Sequence, residues 1–242
     1  MGRAHEVRKA AMEKTSKQKS KLYSKFGKEI YMAAKNGGAD LDSNLELKRL
    51  VERAKQNQVP AHVIEKNIEK SQSVGGEDYF PARYEGFGPG GSTMVVECIT
   101  DNVNRTVSEV RNCFTKVGGN LGKQNTVTYM YQYVAYLSFS GLSEDEALEA
   151  LIMADVDALD IQSDEDIVTI IGEHSKLDDI KDALKATEKE LEFFKDEVVW
   201  LPNNTIKLEG DDLDKFKRFL ALAEDVEDVQ DIYHNVDLGD ES

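Results

Sequence analysis

The chain has 242 residues, 40% hydrophobic and 31% charged, which excludes a disordered or fibrous polypeptide and leaves room for one large or two to three small domains. Its formal net charge is −16 with a pI near 4.7, but the charge is divided. Residues 1–70 hold 16 Lys/Arg against 9 Asp/Glu, and residues 71–242 hold 14 against 37, giving balances of +7 and −23. There is no apolar run of about 18 residues, and the basic start lacks the apolar core of a secretory signal. Cys98 and Cys113 show no CxxC spacing. A cytoplasmic protein with reduced thiols, no disulfide and no membrane partner is therefore expected.

In chain order, the apolar residues Leu22, Phe26, Ile30 and Ala33 recur at helical spacing and predict a helix over 17–35. Lys17, Lys21, Lys25, Lys28 and Lys35 fall on its opposite side within an arc of about 80°. Gly27 interrupts this helix and costs about 1 kcal/mol relative to Ala. Asn36-Gly37-Gly38 stops it. Ser43 and Glu46 have the spacing of a capping box for a second helix with Leu47, Leu50, Val51 and Ala54 inward and Arg49 and Arg53 outside. Pro60 is expected as the first residue of a third helix that buries Val63, Ile64 and Ile68. Residues 71–84 read as a linker, on Gly75-Gly76 and Pro81.

Beyond it, strands are expected at 93–100 and 126–132 around a helix from about Asn104, then at 205–208 and 229–234 around a helix over 211–224. That helix is expected to bury Leu213, Phe216, Leu220 and Leu222 or Ala223. Together these spell a βαββαβ pattern cut in its middle. The intervening stretch has the same grammar: strands at 133–139, 158–162, 166–171 and 191–200, with helices at 143–154 and 175–187. The expected fold is α+β: a three-helix domain followed by two ferredoxin-like α/β domains, the second inserted into the first. The expected boundaries are 1–74, then 80–132 with 203–242, and 133–202.

The chemistry-bearing motifs are few. Gly86, Gly88 and Gly91 satisfy G-x-G-x-x-G, but a strand rather than a helix follows, so a loop is the default and a dinucleotide site is not expected. The four histidines, His5, His62, His174 and His234, lack ligand spacing, so neither metal nor cofactor is expected. There is no P-loop and no nucleophile elbow, and the acidic pairs sit at turns and helix starts, so no catalytic residue is assigned. The basic head differs. Arg3, His5, Arg8, Lys9 and Lys14 form a polar arm before the lysine-bearing helix, and an arm beside a basic helix suits a nucleic-acid backbone. Nothing in the pattern says which bases are read, or whether the target is DNA or RNA. The acidic body suits a basic protein partner, which leaves an interaction scaffold as another class of function.

Four blocks, Tyr84-Glu-Gly-Phe-Gly-Pro-Gly-Gly91, Asp101-Asn-Val-Asn-Arg-Thr106, Gly118-Gly-Asn-Leu-Gly122 and Asp228-Val-Gln-Asp-Ile-Tyr-His-Asn235, resemble the signature blocks of the YebC/PmpR family. That family includes a mitochondrial translational activator. The resemblance implies a helical N-terminal domain with two nested α/β domains, and a cytoplasmic DNA-binding transcriptional regulator, with members implicated in translation at the ribosome; as a translation factor the chain would be expected to contact ribosomal RNA. The start departs from the family: Gly2-Arg-Ala-His-Glu-Val-Arg-Lys9 stands where many members have Gly-His-Ser-Lys-Trp-Ala. Asn104, Arg105 and Arg111 match or adjoin a family block. They read equally as a second polar contact surface or as plain helix surface.

Overall fold

The computed structural model describes residues 3–73, 75 and 78–239, with side chains described from residue 19 onward. It is mixed α+β. Helices α1 (Arg3–Gly37), α2 (Leu45–Gln56) and α3 (Ala61–Ser71) are followed by β1 (Phe80–Phe87), β2 (Thr93–Thr100), α4 (Val103–Lys116) and the short β3 (Asn120–Leu121). Then come β4 (Tyr131–Ser140), α5 (Glu144–Met153), β5 (Asp160–Asp164), β6 (Ile167–Glu173), α6 (Leu177–Lys185) and β7 (Glu192–Pro202). Helix α7 (Gly210–Glu224) and β8 (Val229–His234) end the series. Among the described residues, no helix is long and apolar enough to cross a membrane. Cα proximity divides the chain into two compact units. One comprises Met1–Arg83, Val96–Cys113 and Leu220–Asp231, and the other Tyr84–Val95, Phe114–Phe219 and Ile232–Ser242.

In the first unit, α1 buries Phe26, Ile30, Ala33 and Ala34 against Leu47, Val51 and Ala54 of α2 and Ile64 of α3. Gly27 sits where a Cβ would lie 2.9 Å from Nδ2 of Asn67, so its propensity cost permits close approach of α3 to α1. The cap of α2 differs from expectation. Asn44, not Ser43, is the N-cap, its Oδ1 accepting from the Leu47 N–H, while the Ser43 hydroxyl turns to Asp40. Asn44 wins because its amide also donates to the carbonyls of Ala33 and Gly38, joining the end of α1 to the start of α2. Pro60 is likewise the N-cap of α3 rather than its first helical residue.

The strands form two four-stranded sheets among the described residues, ordered β3-β1-β2-β8 and β5-β6-β4-β7. The second sheet has the strand order of a ferredoxin-like βαββαβ unit and is formed entirely by residues 131–202. The first sheet draws strands from either side of that segment, so residues 131–202 form an insertion, the inserted unit, between strands of the first sheet. In the inserted unit, β4 pairs antiparallel with both β6 and β7. Its alternate residues Ala135, Leu137 and Phe139 are buried with Val168 and Ile170 of β6, Ala147 and Leu151 of α5, and Ile180 and Leu184 of α6. A buried pair, Lys181 with Asp196, links α6 to β7.

The other sheet departs from expectation in three places. Strand β1 begins inside the stretch expected as a linker. The strand expected at 205–208 is only an isolated parallel bridge between Ile206 and Val236. The strand expected over 126–132 does not form in this sheet: a 3-10 turn occupies Thr128–Met130, Tyr131 opens β4 of the other sheet, and the edge strand is β3 at Asn120–Leu121 instead. The cause of the last is Glu85. Its buried carboxylate accepts the N–H groups of Asn125, Val127 and Thr128 at 3.0, 2.8 and 2.9 Å, so those donors meet an acid rather than a strand ladder. Burial pushes the Glu85 carboxyl up, and the three N–H bonds outweigh this and hold it below the usual carboxylate range. On α7 the buried residues are Phe216, Phe219 and Ala223, with Phe219 stacked 4.6 Å from Phe114, rather than the Leu213 and Leu220 that periodicity favoured.

Phe139 is fully buried in the inserted unit. Phe139→Ala is expected to cost about 3–5 kcal/mol, read as a lower midpoint in equilibrium urea unfolding.

Candidate nucleic-acid interface

The basic head has a different surface from the one its helical wheel implies. The arm expected over residues 3–14 is, from Arg3 on, the start of α1. Arg3, His5, Arg8, Lys9, Lys14 and Lys17 thus lie on that helix, but their side chains fall outside the described residues. Lys21 is half-buried. Lys25 and Lys28, one turn apart, meet carboxylates supplied by β8 and the turn before it. Lys25 pairs with Asp231 at 2.5 Å. The ammonium of Lys28, only 8% exposed as a residue, donates to Oδ1 of Asp228 and to the Glu227 carbonyl, each at 3.1 Å, and stands 5.9 Å from the Tyr79 ring centroid. The assignment of Lys25 and Lys28 to a solvent-facing contact stripe is therefore corrected. A wheel shows which residues share a face, but not which carboxylates the fold brings to it. Lys35 is exposed and pairs with Asp78 at 2.6 Å, a hydrogen bond that raises its pKa.

Asp228 is the centre of this arrangement. Besides Lys28 on Oδ1, its Oδ2 accepts from Nη2 of Arg105 at 2.7 Å, and the hydroxyls of Thr100 and Thr106 lie 3.0 and 2.8 Å away. Arg105 also holds Asp101 at 2.7 Å, so its guanidinium is an internal tie as well as surface. Asn104 and Arg111 are exposed on α4. Burial pushes the Asp228 carboxyl up, while Arg105, Thr106 and Lys28 outweigh it and hold the pKa below the usual range. The cluster was missed in the sequence, although its parts stood in two of the quoted family blocks, Asp101–Thr106 and Asp228–Asn235. Within the same unit, Cys98 and Cys113 are buried free thiols, and burial pushes Cys98 up to about 12, leaving it protonated and inert at neutral pH. Among the described residues, no group of three or more His, Cys, Asp or Glu side chains could hold a metal ion.

Apart from Lys35, the lysines that face solvent among the described residues of the head lie off the predicted stripe. Lys19 of α1, Lys48 and Lys55 of α2 and Lys66 of α3 are exposed. Lys48 and Lys55 are seven residues apart and share one face of α2. Arg49 and Arg53 are half-buried, and the Arg53 guanidinium stands 6.0 Å from the Phe26 ring centroid, on the flank of the helical core. None of the four exposed lysines was singled out in the sequence, because none belongs to the stripe opposite the first helix's apolar face.

Asp228→Ala leaves the Lys28 ammonium buried with only a carbonyl partner and is expected to cost about 3–5 kcal/mol in thermal or urea unfolding. Because the folded pKa of Asp228 is depressed, its stabilisation is complete near neutral pH and lost as pH falls through that value. The advantage of the natural chain over Asp228→Asn should therefore be flat from pH 6 to 8 and shrink below about pH 4, as measured by urea unfolding across pH.

Comparison with known proteins gives a consistent picture. A family model described as the TACO1/YebC second and third domain matches residues 79–236, and one described as the TACO1/YebC protein N-terminal domain matches residues 3–74. A protein of Alteromonas mediterranea is 49% identical over 97% of this chain and 98% of its own length, and one of Vibrio parahaemolyticus is 48% identical over 98% and 100%. One of Alcanivorax borkumensis is 48% identical over 99% and 100%. All three are named probable transcriptional regulatory protein. A solved structure, that of a conserved hypothetical protein from Aquifex aeolicus, superposes with a TM-score of 0.79 at 33% identity, covering 93% of this chain and 92% of that one. With both models matched in order along nearly its whole length, the chain belongs to the TACO1/YebC family.

Proposed function

We propose that this protein is a non-enzymatic, cytoplasmic regulator of gene expression that binds DNA through its basic head. The observation that carries this reading is the near-complete coverage of relatives named probable transcriptional regulatory protein at close to half identity. The structure's electrostatics support it: exposed lysines persist on α1, α2 and α3 after Lys25 and Lys28 have been drawn into internal pairs. With a Debye length of about 8 Å at physiological salt, such a local surface attracts phosphate even on a chain of net negative charge. The contact set is Lys19, Lys48, Lys55 and Lys66 with Lys21, Arg49, Arg53 and the basic residues of the first turns of α1, among them Arg3, Arg8, Lys9, Lys14 and Lys17. Asn104 and Arg111 form a second contact patch on α4. A regulator without catalysis fits the buried acids, since Asp228 and Glu85 are each held by several donors that keep them ionised as structural anchors. The proposed division is residues 1–74 as the binding domain, with 80–132 plus 203–242 and the inserted 133–202 as the body.

A second reading, ribosomal RNA as the target of a translation factor, is favoured by the resemblance to a family that includes a translational activator. Lysines reading phosphate suit either polymer. The test is fluorescence anisotropy with a DNA duplex and a folded RNA of equal length across a salt series. For about five phosphates neutralised, log affinity should fall with log salt at a slope of about −4.5 on duplex and about −3.5 on single strands. The triple variant Lys19→Glu, Lys48→Glu, Lys55→Glu should lose at least tenfold in affinity at low salt with unchanged circular dichroism. Tighter binding to RNA than to any promoter duplex would select the second reading, and undiminished binding by the variant to both polymers would overturn both.

A further inference from the structure

The inserted unit carries a surface that binding through the head does not use. Residues 133–202 hold 19 Asp/Glu against 5 Lys and no Arg, a balance of −14, nearly all of the chain's net charge of −16. On this acidic body lies an apolar groove between α5 and α6, enclosing about 560 Å³, with Leu142, Ala150, Met153, Ala183 and Ala186 among its walls. One end is tied by Lys189, which pairs with Glu146 at 2.5 Å. Helix α5 is apolar on two sides. Ala147 and Leu151 face the core, while Leu148, Ile152 and Met153 are 46, 68 and 82% exposed. Of these three, Met153 lies on the groove's wall, while Leu148 and Ile152 extend apolar surface round the outer side of the helix.

We propose that the groove between α5 and α6 docks a basic amphipathic helix of a protein partner. Three features select that occupant. The alanines of the groove let a helix backbone approach closely, and Leu142 and Met153 on its walls offer contacts for leucines at helical spacing. The ten residues of α5 span about 15 Å, the length of three turns of a partner helix. The rim is acidic on balance: Glu146 and Glu149 line the groove against Lys189, which pairs with Glu146, and Glu144, Asp145, Asp155 and Asp157 lie on or beside α5. Such a rim steers a cationic partner in and repels a nucleic acid. The proposal is independent of the head's target, because it uses none of the head's residues.

The test uses the full chain and a labelled peptide of leucine and lysine, about 14 residues long, with leucines at i, i+3, i+4 and i+7. Two controls accompany it: the same composition with leucines dispersed around the helix, and a leucine–glutamate counterpart. The patterned basic peptide should bind saturably, shift the amide resonances of Ala150, Met153 and Ala183, and lose at least tenfold in affinity to Ala186→Trp, which fills the groove from an exposed position. The Lys19, Lys48, Lys55 variant of the head should bind it unchanged. Equal binding of the dispersed peptide, or full affinity for Ala186→Trp, would reduce the surface to non-specific charge attraction and overturn the proposal. Concentration-dependent self-association of the chain in sedimentation, abolished by Ala186→Trp, would assign the groove to a second copy and overturn it equally.

Discussion

A single buried carboxylate organises the basic part of this molecule. Asp228 lies almost fully out of water and remains ionised because the ammonium of Lys28, the guanidinium of Arg105 and two threonine hydroxyls converge on it. The four partners come from three stretches of chain: Lys28 from the long first helix, Thr100 from the end of β2, Arg105 and Thr106 from the start of α4. None of these groups would tolerate burial alone, since an unpaired charge in a low-dielectric interior is costly. Their mutual satisfaction sets which way the first helix faces, and so which of its lysines reach solvent.

That constraint reshapes the functional argument. A lysine stripe on a helical wheel invites the reading of one continuous polyanion-binding face, yet two of its members are structural and a third is paired at the surface. The positive surface that remains is spread over three helices, with its described members on α1, α2 and α3. Charge segregation along the chain then separates two kinds of surface. The head presents exposed cations on three helices, while the inserted unit carries most of the acid and an apolar groove. On the proposed readings, a polyanion and a cationic helix go to different parts of one polypeptide.

Elements with strong periodicity were legible before any coordinates. The inserted unit is the clearest case: every strand and helix anticipated between 133 and 200 is present within a few residues, because each alternates or repeats its apolar residues against one core. Elements that failed to declare themselves were governed by partners distant in sequence. Strand β1 was hidden by its Pro81 and neighbouring glycines. Residues 126–130 have strand-like composition, but the Glu85 carboxylate captures their N–H groups. At Asn44 a three-way amide outcompeted a well-formed capping motif.

Composition and pattern by themselves determined the fold class, the family likeness and the division of charge, since these depend on local spacing and on sums over segments. Tertiary structure alone decided the fate of individual charges: that Lys28 is a core residue, that Arg105 is a tie, that Lys48 and Lys55 face water, and that α5 keeps a second apolar side uncovered. The physical reason is that a charged side chain's role is set by the nearest opposite charge and by its access to water. Both are fixed by contacts between residues more than a hundred positions apart, here between Lys28 or Arg105 and Asp228.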